Sequence, residues 1–514
     1  MRSKNVDKIT SRLNQDEREV FWRLLIATFL EWHSKGVAAL QNPNFYVPSH
    51  GNYPNLEFAA ETGLPRLNSG RFSAFGSSPK RYSSLFPYGG DVPPSLLVPF
   101  KKAVAEENSE TFATLISWVK ENEPLLKYFS LPFEPEHEVQ KKLTPEYMIK
   151  STLGEFLAYA IEQSFYREGI SAANAATAKR YIAPYAAAIL QPYLDYSTIT
   201  PILGLRFAIN HTPISETTYL MKMSPAFHKA RTRIRDYSGN TDETTIHLAT
   251  HAFVTNNHKL ANNNLVWTRL KLNLAAENDL EQIDSFFGAI RLVSPVSTGY
   301  AQILHLIRKA KIASHADLQA LHGTVVRKYP AKLSKLRYSS EKPPSLNNGQ
   351  IDEVKKLFVA IRVERHNKVK LALRRLNSSL IRDNDDDALL DAVIGFELLL
   401  SDNKSEAISY KLRMRAAALS KVSNGAFSAR DMKENVIQVY NARSKLVHGS
   451  DSVDASKKIE FNVAEPEASK QTMEAQQILR RVAKVLIENS TYLDVTKLDD
   501  ELMLGIEPTT KAVS

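Results

Sequence analysis

Apolar residues recur along this chain at two different periods, and the changes of period divide it. Between Glu17 and Gly36 they fall at 20, 21, 24, 25, 29 and 32, which lays a stripe along one side of a helix. Similar spacing predicts helices within 93–129, 145–169 and 186–196. From 198 to about 300 the texture changes: "TITPILGLRFAIN", "ETTYLMKMS" and "TTIHLATHAFVTNN" are rich in β-branched residues with stretches of period two, so strands are expected. Helical spacing returns in "DLEQIDSFFGAIRL" and "GYAQILHLIRKAKI". Beyond 350 it is almost continuous, with apolar faces over 351–381, 385–400, 405–420, 430–448 and 468–490.

Two stretches break the pattern. Residues 41–99 are crowded with Pro, Gly, Ser, Asn and aromatics, and "YSSEKPPSLNNGQ" at 338–350 has the composition of a linker. The expected fold class is α+β overall, mainly α. A mostly helical region with a loop-rich aromatic stretch (1–197) precedes a mixed strand and helix region (198–337), the linker (338–350), a helical bundle (351–492) and a tail (493–514).

A length of 514 residues allows two or three domains with proper cores. No apolar run reaches about 18 residues, so no membrane span is expected. The first twenty residues are charged throughout, without an apolar signal core. There is no cysteine, which excludes disulfides and thiolate-bound zinc and fits a reducing compartment. A cytoplasmic protein is expected. Of the 66 basic and 56 acidic residues, 26 and 25 lie after residue 350, which leaves 40 and 31 before it. The excess positive charge thus sits in the first two thirds, a modest pointer to polyanions.

Several chemistries find no support. The chain lacks both a Gly-x4-Gly-Lys-Ser/Thr loop and a Gly-x-Gly-x-x-Gly turn. His247 and His251 have metal-ligand spacing, but Leu248 stands where a metalloprotease needs its glutamate, and the flanking residues alternate like a strand. "DNDDD" at 383–387 has Ala388 in place of a calcium loop's glycine and Ile394 in place of its terminal glutamate. Those aspartates read as the cap and acidic first turn of a helix. Neither a metal nor a cofactor is expected.

Two C-terminal helices carry ionisable residues where packing residues belong. Glu397 shares a face with Leu390, Val393 and Ile394, and Arg443 shares one with Val436, Tyr440 and Val447. A charge among apolar neighbours is costly unless paired, so Glu397 is expected to contact Arg443 across two packed helices. Five residues later His448 precedes Gly449, a natural helix stop, and a helix C-terminus favours imidazolium. An arginine and a histidine together can offset charge on a phosphate and move a proton, the two needs of RNA cleavage. Five residues turn a helix by about 140°, so the pair cannot share one narrow face and a second protomer would help complete the site.

The order Arg375-Leu-Asn377, an acidic helix start, Glu397, Tyr410-Lys-Leu-x-x-Arg415 and Tyr440-x-x-Arg443-Ser444-Lys445-x-x-His448-Gly449 resembles the HEPN superfamily, in its Apea-like branch. The resemblance covers about 365–490, and residues 1 to about 350 resemble no family. It implies a dimerising helical bundle that pools Arg443 and His448 of both copies into one metal-independent endoribonuclease site. Glu397 matches the acidic residue of the preceding core helix. Ser444, where many members carry Asn, His or Asp, and Lys445 are the expected substrate-binding positions. Members act as toxins, CRISPR effectors and antiphage abortive-infection proteins, and some cut tRNA anticodon loops. The implied partners are RNA, with tRNA among the candidates, and a second copy of the chain. A phage-derived or other protein trigger is expected at the N-terminal region. The alternative is a non-catalytic HEPN scaffold that binds RNA or protein within a defence or toxin–antitoxin complex.

Overall fold

The computed structural model describes residues 11–51, 53–69, 78–86, 109–132, 143–234, 246–338, 342–363, 367–402, 407–448 and 467–506. It is an α+β fold, mainly α. The first part contains α1 (Gln15–Gln41), a hairpin of β1 (Pro54–Phe58) and β2 (Pro65–Ser69), and the helices α2 (Glu110–Glu121), α3 (Glu123–Phe129), α4 (Pro145–Glu168) and α5 (Ala175–Leu190). Local chemistry sets the helix starts. Asn14 and Glu17 form a capping box on α1, and Thr144 caps α4 ahead of Pro145 at its first position.

The middle is a six-stranded antiparallel sheet. Its strands are β3 (Tyr193–Leu203), β5 (His211–Pro213), β6 (Thr218–Lys222), β7 (Ala249–Ala261), β8 (Tyr300–Ile307) and β9 (His322–Lys328), in the order β5-β6-β7-β3-β8-β9. Short β4 (Arg206–Phe207) lies outside it, and α6 (Pro225–Arg231), α7 (Leu265–Leu272) and α8 (Glu277–Val293) connect strands. Two sequence expectations change here. "GYAQILHLIRKAKI" reads as a helix but forms β8, because this inner strand is buried on both faces and shows an apolar run without alternation. "AAAILQPYLDY" is helical only to Leu190, after which β3 begins at Tyr193.

The C-terminal part is helical: α9 (Asn348–Val363), α10 (Asn367–Ile381), α11 (Asp385–Leu400), α12 (Ile408–Ala418), α13 (Ala429–His448) and α14 (Glu467–Glu488). Ahead of it, β10 (Ser345–Leu346) pairs in parallel with β4 and buries Leu346, so residues 342–350 of the Pro- and Asn-rich stretch are tied into the fold. One apolar core runs from the sheet (Ile202, Phe253, Ile303) through α8 (Phe286, Ile290) into the bundle (Phe396, Val436, Leu479). A second core joins α1 to α5, and a third covers the other sheet face around Phe227 and Leu333. Helix α11 is central to the bundle. Gly395 lets α14 close on it, since a Cβ there would collide with the Leu479 side chain. No helix among the described residues is long and apolar enough to cross a membrane.

Candidate active site

Helix α13 is the sequence's Arg443 helix, and its buried stripe is Met432, Val436, Val439 and Ala442. Arg443 lies at the edge of that stripe and is half-buried. Its guanidinium sits over the Tyr440 ring, 5.5 Å from the centroid, one turn back on the same helix. Facing it, Glu397 of α11 is also half-buried.

The expected Glu397–Arg443 contact is replaced by a three-residue arrangement. Tyr440, through its hydroxyl, and Arg443, by its charge at longer range, both act on the Glu397 carboxylate. Burial pushes the Glu397 carboxyl above its ordinary range, and the Arg443 charge and the Tyr440 hydrogen bond only partly oppose the shift. Burial likewise raises the Tyr440 hydroxyl, with the Glu397 charge adding and Arg443 opposing. Among the described residues no carboxylate lies at ion-pair distance from the guanidinium, which suits it to an incoming phosphate. Tyr440 was legible as a packing residue but not as a partner. Its signal is the Tyr-x-x-Arg spacing, which stacks the two side chains on one helix face.

The other expected site residues lie on the same last turns. Ser444 is half-buried and Lys445 exposed. His448 is the last residue of α13; its side chain, and Gly449 after it, lie outside the described residues. Leu446 and Val447, 38% and 52% exposed, leave an apolar surface on this helix end. Val447 is therefore not in the packing stripe where periodicity put it, because the stripe ends at Ala442.

Helix α11 holds its buried carboxylate elsewhere. Asp391, absent from the sequence reading, is buried and binds Arg375 Nη1 at 2.7 Å and Arg382 Nε at 3.0 Å. Arg375 of α10 and Arg382 just past its end thus spend their charge on α11, and Lys370 pairs with Glu281 at 2.7 Å. At the C-terminal end of α11, Arg415 bridges Asp402 and Asp499 at 2.9 and 2.6 Å. The "DNDDD" stretch caps α11 as expected: Asn384 accepts from the Asp387 N–H, and Asp385, Asp386 and Asp387 form the first turn. His251 lies in β7 against the Ile209 carbonyl at 2.9 Å, and His247 precedes the strand. Among the described residues no group of three or more His, Asp or Glu side chains could hold a metal ion. No protein-family model, curated protein or solved structure matches the chain.

Proposed function

We propose that the chain is a metal-independent endoribonuclease of the HEPN type, acting in the cytoplasm as a toxin-like or abortive-infection effector. Its N-terminal region senses a trigger or recruits the substrate. The observation that carries this reading is Arg443, held half-buried over Tyr440 with no carboxylate at ion-pair distance among the described residues, five residues before a histidine that ends the same helix. Arg443 offsets the negative charge gathering on the phosphate oxygens. His448 takes the proton of the ribose 2′-hydroxyl as it attacks the adjacent phosphate, or returns one to the leaving 5′-oxygen. Ser444 and Lys445 contact the RNA backbone nearby. Glu397 and Tyr440 hold the guanidinium in place.

The site is completed by a second copy of the chain. Leu446 and Val447, exposed beside the reacting residues, support packing about a two-fold axis at this helix end. Attack by the 2′-hydroxyl leaves a 2′,3′-cyclic phosphate and a 5′-hydroxyl. The test is cleavage of total tRNA by the purified protein in EDTA, followed by a substrate with a single 2′-deoxy residue 5′ to the cut. Activity that persists in EDTA and stops at the deoxy position is expected. Cleavage that EDTA abolishes and that leaves 5′-phosphate ends overturns the mechanism.

One observation favours the scaffold reading. The Glu397–Tyr440–Arg443 arrangement is self-contained and would also serve as a structural contact between α11 and α13. In that case purified protein binds RNA or a protein partner without cutting RNA.

A further inference from the structure

Far along the chain from α13, a cavity of about 420 Å³ opens between α4, α5, α6 and the end of β8 with the segment after it, a volume in the range of small-molecule sites. Its charged lining is uneven: Arg167, Lys309 and Lys311 face it with one acid, Asp317. That acid is engaged, accepting a hydrogen bond from the Tyr53 hydroxyl at 2.7 Å. Lys311 is only partly exposed, and among the described residues no acid is its hydrogen-bond or ion-pair partner. Its ammonium donates to Gln163 Oε1 at 2.8 Å and lies 6.0 Å from the Tyr185 ring centroid. Burial and the neighbouring Arg167 charge hold its pKa down to about 8. Arg167 and Lys309 are exposed and Lys311 is half-buried, and an anion seated among the three offsets their mutual repulsion.

The backbone supports a built site. Lys309 has φ +63, a left-handed conformation unusual for a lysine, and such strained residues cluster at ligand sites. The loop is anchored at Lys311, whose N–H donates to the Pro184 carbonyl at 2.8 Å, and at Ser314, whose Oγ accepts from Gln163 Nε2 at 2.5 Å. The remaining lining includes Pro184, Ala226 and Leu318, a surface suited to an uncharged ring.

We infer that this cavity binds a small phosphate-bearing molecule of nucleotide size, its phosphate held by Arg167, Lys309 and Lys311 and its uncharged part against Pro184 and Leu318. The inference stands independently of whether α13 cuts RNA. Titration calorimetry on the full chain tests it, with AMP, pyrophosphate and adenosine at matched ionic strength. AMP and pyrophosphate should bind and adenosine should not. Lys309→Gln, at an exposed position, and Lys311→Gln should each weaken AMP binding about tenfold or more, since each removes a charge-assisted contact. A thermal melt of each variant identifies any loss of folding, and Lys309→Gln alone then decides. AMP binding unchanged in Lys309→Gln overturns the site. So does the absence of AMP and pyrophosphate binding, including the case where a single-stranded RNA binds and Lys309→Gln weakens it, which would mark a nucleic-acid surface.

Discussion

Two carboxylates beyond the first turn of α11, Asp391 and Glu397, sit less than two turns apart and are treated in opposite ways. Asp391 is buried and neutralised by two guanidiniums at hydrogen-bond distance, so it fastens α10 to α11. Glu397 is half-buried, and its carboxyl is pushed upward by burial, with Arg443 and Tyr440 opposing only in part. The first arrangement satisfies its charges internally. The second leaves an arginine with no carboxylate at ion-pair distance among the described residues, and that difference is what makes it a candidate site.

Breaking the sealed pair should have the largest effect on folding. Asp391→Ala removes two charge-assisted hydrogen bonds from a buried acceptor, and we expect a loss of about 2 to 3 kcal/mol, read from urea unfolding midpoints. The estimate stays low because Arg375 and Arg382 are each about half exposed and can turn to water. Cleavage per folded molecule should be unchanged.

Arg443→Ala should reverse that profile. Stability should fall by about 1 kcal/mol, because Glu397 keeps Tyr440. Cleavage should fall about a hundredfold or more, as when a donor to a developing oxyanion is removed. A variant with full activity would place Arg443 with Asp391 on the structural side.

The smallest effect is a pH slope. The folded-state pKa of Glu397 is raised, so its contribution to stability is full below the ordinary carboxylate range, about 4.3. It is lost as pH rises through the folded pKa. Melting temperatures measured from pH 4 to 8 should show Glu397→Gln losing less stability on the alkaline side than wild type. Equal slopes would mean that Glu397 is not in the environment described. The sheet's buried histidines work in the opposite sense. Burial holds His251 and His322 down to about 4, so the stability they contribute is lost as pH falls from about 6.5 through that value.

Much of the bundle was legible because each helix packs one side and so carries a stripe. Residues 385–400 and 430–448 match α11 and α13 closely. The β8 strand was not legible, since "YAQILHLI" packs both faces and erases the alternation that marks a strand. Nor was the tie formed by β10, where Leu346 is buried inside a stretch with linker composition. At the site, periodicity found Glu397 and Arg443 but assigned the face of α11 slightly wrongly. Its most buried positions include Leu389, Ala392, Val393 and Phe396, which brings Asp391 inward and leaves Leu390 and Ile394 half-buried. Periodicity gives faces rather than distances, so the Tyr440 hydroxyl could not be recognised as the partner of Glu397.

The central claim is that His448 and Arg443 on α13 cut RNA. It is tested most directly by sequencing RNA 5′ ends from cells expressing the wild-type chain or His448→Ala at equal protein levels. New ends at defined sites, carrying 5′-hydroxyls, should accumulate with the wild type and be absent with the variant. The same ends at the same frequency with His448→Ala would contradict the account.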